Sequence, residues 1–249
     1  MFNDHFKIFI KRAQSLKFYF INNIHINKYD KHYIRTNKIK WTTSRNLKKD
    51  REKKILVDFS YGAASSFKND LTFFKDLKCL NYLYNFNNIN LKSGSNYLKK
   101  NLKKKLYNKH DFAIAFDGDA DRAVFFKKGY GIIEPEKICI IFSIFLNTKT
   151  VVGTKITIPD LKKYLNSIKI KYFQTNVGDR NIIEMQNKKS AKIGFETSGH
   201  YSFQHYMDGI YAAGLFLKIL KKNPKLIDRI LNVKFEYDSF ILSHKKKIK

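Results

Sequence analysis

No stretch of this 249-residue sequence stays apolar long enough to cross a bilayer. The longest run, Ile138 to Leu146, is short and interrupted by Ser143, whereas a membrane helix needs about 20 apolar residues. The opening Met-Phe-Asn-Asp-His-Phe-Lys has an early acid and no apolar core ahead of a small-residue cleavage site. It does not read as a secretory signal, so a cytoplasmic protein without a membrane partner is expected. Cysteine is nearly absent: Cys79 and Cys139 stand far apart, in no metal or redox motif, as expected of structural thiols in a reducing compartment. Arginine is scarce too, with seven among 49 basic residues. That bears on the formal net charge of +28, which alone would suggest nucleic acid. Readers of bases and phosphates favour the bidentate arginine fork. Here lysine is spread along a chain rich in Asn, Ile, Tyr and Phe, the mark of a bias toward A/T-rich codons. No specific nucleic-acid partner is expected, although a basic surface attracts anionic phosphosugars and proteins.

What is present suffices for two ordinary domains, with 43% hydrophobic residues to build their cores. Residues 1–53 have little periodicity apart from a possible helix over 6–20. From Lys54 the pattern alternates. Ile55 to Phe59 reads as a buried strand, the small-residue turn Ser60 to Ser66 opens a helix to about Leu77, and Cys79 to Phe86 is a second strand. A lysine-rich helix capped by Ser93 or Ser95 ends near Tyr107 and leads into Phe112 to Phe116. After a short strand (123–126), a turn (127–131) and a return at Ile132-Ile133, Pro135 starts a helix, with the boundary between the units near 127–133. Strands are then expected at 150–152, 168–173 and 191–195, and helices at 159–167, 179–186 and 208–221, the last capped by Asp208. The fold class this implies is α/β, as two successive α/β/α units with mainly parallel sheets, 54–126 and 127–222, followed by a basic tail (223–249).

The turn small-residue segment 60–66 lacks the Lys-Ser/Thr ending of a P-loop and the spacing of a dinucleotide fingerprint, so helix packing is its expected use. The loop after the strand 112–116 is more telling. It carries Asp117, Asp119 and Asp121 at alternate positions with Gly118 and Ala120 between them. Three carboxylates so close repel unless a cation sits among them, and small spacers let the backbone curl so that all three converge. The plain alternative is an Asp-Gly turn between strands. An EF-hand is excluded, since its sixth and twelfth positions would be Arg122 and Lys128 rather than Gly and Glu. A hard divalent ion remains, with Mg²⁺ favoured because few protein ligands leave room for a phosphate oxygen.

Three later stretches also end strands or open helices. Thr175-Asn176-Val177-Gly178-Asp179-Arg180 offers backbone N–H groups and a guanidinium to an anionic or hydroxyl-rich ligand; the alternative is a helix cap with a surface arginine. Gly194 to His200 crowds Glu196, Ser198 and His200 into a glycine-flanked loop able to bond sugar hydroxyls. Asp208-Gly209 is most simply a cap.

In this order the motifs resemble the α-D-phosphohexomutase family over about 54–220. Asp117-Gly118-Asp119-Ala120-Asp121-Arg122 resembles its metal-binding loop, Gly194 to His200 its G-x-E-x-S-G-H sugar loop, and Asp208-Gly209-Ile210 the start of the following helix. Val177-Gly178-Asp179-Arg180 is similar to the V-G-D-R-Y-V string of the phosphoglucosamine mutase branch, and Ile55 to Ser66 to V-V-D-x-A-N-G-A. The resemblance implies an Mg²⁺-dependent mutase that moves phosphate between C6 and C1 of a hexose phosphate through a phosphoserine. It implies Asp117, Asp119 and Asp121 as metal ligands and Arg122 beside the phosphoserine. Glu196, Ser198 and His200, with Gly178, Asp179 and Arg180, would bind the phosphosugar, for which the V-G-D-R string favours glucosamine phosphate.

The resemblance covers two of the family's four domains. Thr42-Thr43-Ser44-Arg45-Asn46 echoes the T-x-S-H-N-P serine loop but has Arg for His and no Pro, so the phosphoserine is not identified. No R-x-S-G-T-E-P-type phosphate loop follows residue 221. Phe195, Asn181 and Glu134-Pro135-Glu136 stand where Gly or Ala, Tyr and D-G-D are usual. Three alternatives to a self-sufficient phosphoglucosamine mutase stay open: a split mutase completed by a second chain, a non-catalytic remnant, and activity on mannose or glucose phosphate.

Overall fold

The computed structural model describes residues 53–235 other than 72–76, 102–106, 108 and 204–205. The helix expected over 6–20 and the Ser44 segment lie outside them. The strands form two five-stranded sheets. In the first, β1 (Ile55–Asp58) runs parallel to β2 (Leu77–Leu80) on one side and to β3 (Phe112–Phe116) on the other. Antiparallel β4 (Ala123–Lys127) and β5 (Gly131–Ile133) complete it, in the order β2-β1-β3-β4-β5. The second repeats the plan. Central β6 (Thr150–Thr154) is parallel to β7 (Lys171–Thr175) and β8 (Ile193–Phe195), and β9 (Tyr201–Phe203) and β10 (Tyr206–Met207) are antiparallel. Three of five strands in each sheet are parallel, and in both the loop leaving the third parallel strand enters the antiparallel pair. Those two loops are the aspartate loop (117–122) and the Glu196–His200 loop.

Six α-helices accompany the sheets among the described residues: α1 (Gly94–Lys100), α2 (Pro135–Phe145), α3 (Pro159–Ser167), α4 (Asp179–Lys189), α5 (Gly209–Lys222) and α6 (Pro224–Leu231). None is long and apolar enough to cross a membrane. Several have the ends their sequences call for: Pro135, Pro159 and Pro224 occupy first-turn positions, and Asp208 caps α5 by accepting from Tyr211 N (2.8 Å).

The boundaries depart from the sequence reading in three places. The helix expected to reach Leu77 is a 3₁₀ helix over Ala63–Leu71, and Leu77 opens β2, because pairing with Ile55 extends it. Residues 81–85, expected as strand, are loop, and Phe86 opens a 3₁₀ turn (Phe86–Asn88). The stretch 127–133, expected to hold the boundary between the units, contains β5, which belongs to the first sheet, so the change of sheet falls at Glu134. The hairpin strands β9 and β10 and the helix α6 were not expected.

The two sheets share a core. Along β4 the side chains alternate: Val124 and Phe126 pack with Leu56, Leu98, Ala113 and Ala115, while Phe125 faces the opposite side. There Phe125 meets Phe216 of α5 (4.7 Å between ring centroids), Phe142 of α2 (6.3 Å) and Tyr201 of β9 (6.0 Å). Phe112 of β3 joins through Phe216 (5.7 Å). Rings from both halves thus interlock edge-on and tilted, each contact contributing about 0.5–1.5 kcal/mol beyond area burial. Accordingly α5, which follows the second sheet in sequence, packs on β3, β4 and the 3₁₀ helix of the first.

Candidate functional site

The aspartate loop is held from three sides by backbone. Ala63 N donates to Gly118 O (2.9 Å) and Gly209 N to Ala120 O (3.1 Å), while Ala123 N donates to Gly199 O (3.1 Å). The approaches are too close for side chains. A Cβ on Gly62 would strike the Gly118 carbonyl, and one on Gly209 would lie 2.6 Å from Arg122 O and 2.8 Å from Ala120 O. Ala120 itself is left-handed (φ 63), which curls the loop. The small-residue turn 60–66 and the Asp208-Gly209 cap therefore act as walls of this loop.

The curl brings one oxygen each of Asp117, Asp119 and Asp121 within 4.8 Å of one another. Asp117 is buried; burial above all, then the charges of Asp121 and Asp119, push it up to about 7 despite the Arg122 backbone N–H and guanidinium. Burial also opposes the Asp121 charge, but hydrogen bonding and charge from His200, with help from Arg122, hold it below the usual carboxylate range. One Asp121 oxygen is buried without a hydrogen bond, although His200 Nε2 lies 3.3 Å away. A converging carboxylate trio, one member driven toward protonation and another with an orphaned oxygen, fits a hard divalent cation.

Arg122 and His200 connect the two loops. They form an antiparallel β-bridge, and Arg122 Nε lies 3.0 Å from His200 Nε2 and 3.2 Å from Asp117 Oδ2. His200 Nδ1 faces Ser198 Oγ (2.8 Å) and Glu196 Oε2 (3.2 Å), and Ser198 Oγ donates to the same Glu196 oxygen (3.2 Å). Burial lowers the His200 pKa, but Asp121 and Glu196 outweigh it and push it up to about 9. With Nε2 bare the ring accepts from Arg122; protonated there, it faces Asp121. The surrounding carboxylates favour the protonated form. Glu196 is held low first by the His200 bond, against burial, and further by Gly178 N, which donates to its Oε1 (2.8 Å).

Gly178 (φ 124) thus ties the loop before α4 to Glu196, and Asp179 places a carboxylate oxygen within 4.8 Å of ligand atoms of Asp121 and His200. Arg180 is different. Its side chain is 91% exposed and paired with Glu184 one turn along α4 (2.7 Å), with no contact to the other loops among the described residues. One contributor escaped the sequence reading. Lys99 of α1 reaches Ser198 O (3.5 Å), and its pKa is lowered by burial and by Arg122, with Asp117 opposing. It was hidden among lysines, since nothing in sequence distinguishes it from Lys100.

Two structurally equivalent loops, one bearing a carboxylate trio and the other a Glu-Ser-His cluster, meet through Arg122. Residues 134–237 match the family model described as phosphoglucomutase/phosphomannomutase, alpha/beta/alpha domain III. A phosphoglucosamine mutase of Dictyoglomus turgidum is 31% identical over 195 residues, covering 73% of this chain and 43% of the relative. Among solved structures, a phosphoglucomutase/phosphomannomutase family protein of Burkholderia thailandensis is similar with a TM-score of 0.63 at 18% identity, over 76% of this chain and 44% of that one. An N-acetylphosphoglucosamine mutase of Aspergillus fumigatus, solved in complex with GlcNAc-6P and magnesium, has a TM-score of 0.57 at 18% identity, over 72% and 46%. Over these stretches the chain is related to the phosphoglucomutase/phosphomannomutase proteins, residues 134–237 corresponding to their domain III. It spans less than half the length of the curated relative from Dictyoglomus turgidum.

Proposed function

We propose that this chain carries the metal-binding and sugar-binding parts of a phosphoglucosamine mutase-type phosphohexomutase, in two units changing over at Glu134. The observation that carries this reading is the junction of Arg122 with His200, which sets the carboxylate trio beside the Glu196-Ser198-His200 cluster. Asp117, Asp119 and Asp121 would hold Mg²⁺. Bound there, the ion would neutralise charge on a phosphoryl group in transfer. Arg122, already paired with Asp117, offers its remaining guanidinium edge to the same group. Glu196 is kept ionised and fixed by Gly178 N–H, ready to accept from a sugar hydroxyl, while Ser198 and His200 can exchange their mutual bonds for bonds to the sugar.

The reaction this serves moves a phosphoryl group from a phosphoserine to the free hydroxyl of a glucosamine phosphate. The other phosphate of the resulting bisphosphate then returns to the serine, so that phosphate is exchanged between C6 and C1. Support for glucosamine phosphate comes from the name of the curated relatives and from Val177 to Arg180. The chain's coverage of 43% of its relative favours a second reading, a subunit of a split mutase whose partner chain brings the nucleophile. Purified chain incubated with glucosamine 6-phosphate, Mg²⁺ and a catalytic bisphosphate tests the first reading. Turnover and a covalently phosphorylated serine support it. Absence of both limits the chain to binding, and activity restored by a second polypeptide carrying a T-x-S-H-N-P loop supports the split enzyme.

A further inference from the structure

We propose that Lys99 and Arg122 form an anion-binding corner that takes the dianionic phosphoryl group of a phosphate monoester, where α1 meets the Glu196–His200 loop. This rests on the reading that the site handles sugar phosphates. The placement of Lys99 is built in from the first sheet. Buried Asp58 at the end of β1 accepts from Ser60 N, Asn81 Nδ2 and Gly94 N, each at 2.9 Å. The last bond fixes the start of α1. Gly94 (φ 76) is jammed there, since a Cβ would collide with Ser60 Oγ and the Phe116 carbonyl at the end of β3. Leu98 of the same helix is fully buried in the core shared with β3 and β4. Lys99 therefore leaves a helix anchored at both its start and its buried face, and extends to the Ser198 carbonyl.

Its charge is not matched. Among the described residues Lys99 has no carboxylate partner; a long contact to a neutral carbonyl is what it makes. Arg122 is near enough to disfavour its protonation, and Asp117 opposes only in part. Arg122 uses its Nε for His200, Asp117 and Asp121, and its terminal nitrogens carry no hydrogen bond among the described residues. Lys99 reaches this loop at Ser198 and Arg122 reaches it at His200, so an unmatched ammonium and a free guanidinium edge face one short segment, an arrangement that is unfavourable alone and becomes favourable when a dianion bridges them. A phosphate monoester supplies the charge and the acceptor oxygens for both. The corner requires that Lys99 act by its charge and not by tethering the Ser198 carbonyl.

Titration calorimetry of the full chain in Mg²⁺ separates these roles, with inorganic phosphate, glucosamine 6-phosphate and glucosamine as probes. Lys99→Gln keeps an N–H for the Ser198 carbonyl but removes the charge; Lys99→Met removes both, and Lys99→Arg keeps the charge. Lys100→Met controls for losing any one positive charge. The Gln and Met variants are expected to bind both phosphate probes roughly tenfold more weakly, with the Arg variant and the Lys100 control near the parent. Equal binding by Lys99→Gln and parent, an equal loss in Lys100→Met, or no phosphate binding by the parent would overturn the corner. Lys99-dependent binding of inorganic phosphate with no preference for glucosamine 6-phosphate would leave the corner standing and sink the phosphosugar reading. Tight glucosamine 6-phosphate binding indifferent to Lys99 would do the reverse.

Discussion

Arg122 Nε lies 3.0 Å from His200 Nε2, across 78 residues of sequence and from one sheet to the other. The contact joins the same loop of two similarly wound sheets. Each loop is short, leaves the third parallel strand and enters the antiparallel pair, so meeting there aligns the two chemistries without any long excursion of chain. The aromatic core of Phe125, Phe142, Tyr201 and Phe216 lies behind it and keeps the two loops in register.

The aspartate trio is expected to weaken the metal-free fold. The folded-state pKa of Asp117, raised to about 7 from an ordinary 3.8, means that ionising it at pH 8 costs folding free energy. Asp117→Asn should therefore stabilise the chain in EDTA at pH 8 by about 1–3 kcal/mol, while abolishing stabilisation by Mg²⁺. Denaturant titration with and without the ion measures both effects. Destabilisation in EDTA would contradict the frustrated trio.

A second pH effect arises away from the site. Glu136, buried at the start of α2, is pushed up to about 7, by burial first and then by Glu134, against its own helix N–H. The folded state holds this proton more tightly than the unfolded state, so its stabilising share is full below about pH 4.5 and is lost as pH rises through about 7. Above that the contribution is flat. Glu136→Gln should flatten the fall in melting temperature between pH 5 and 8 relative to the parent, and an unchanged slope would place the titration elsewhere.

Gly209 tests the wall of the aspartate loop. An added methyl would lie 2.6 Å from the Arg122 carbonyl and displace backbone rather than a flexible side chain. Gly209→Ala is expected to cost about 1–3 kcal/mol and to reduce the Mg²⁺-induced rise in melting temperature, since the carboxylates move with the loop. Gly214→Ala, in the same helix, where the nearest atom to the added carbon is Leu71 Cδ2 at 3.7 Å, serves as the matched glycine substitution and should leave the Mg²⁺ response intact.

The parts of this fold that could be read in the sequence are those set by local chemistry. Pro135 and Pro159 fix helix starts, Asp208 caps α5, and the apolar run Phe112–Phe116 before alternating aspartates is informative by spacing alone. What was hidden depends on partners far along the chain. Leu77 joins a strand because Ile55 pairs with it, and β9 and β10 are too short to show a period. Gly209 reads as half of a cap until the carbonyls of Ala120 and Arg122 are seen against it. Arg180 sits in a suggestive string yet pairs with Glu184 on its own helix, and Lys99 matters through Arg122 and Ser198, neither of which its sequence neighbours reveal.

The most direct test of the central claim is calorimetric titration of glucosamine 6-phosphate into the full chain with Mg²⁺, repeated in EDTA and with Asp119→Asn and Glu196→Gln. Saturable binding in Mg²⁺, weakened at least roughly tenfold by EDTA and by each substitution, is the expected result. No saturable binding, or binding indifferent to the metal and to both carboxylates, would contradict it.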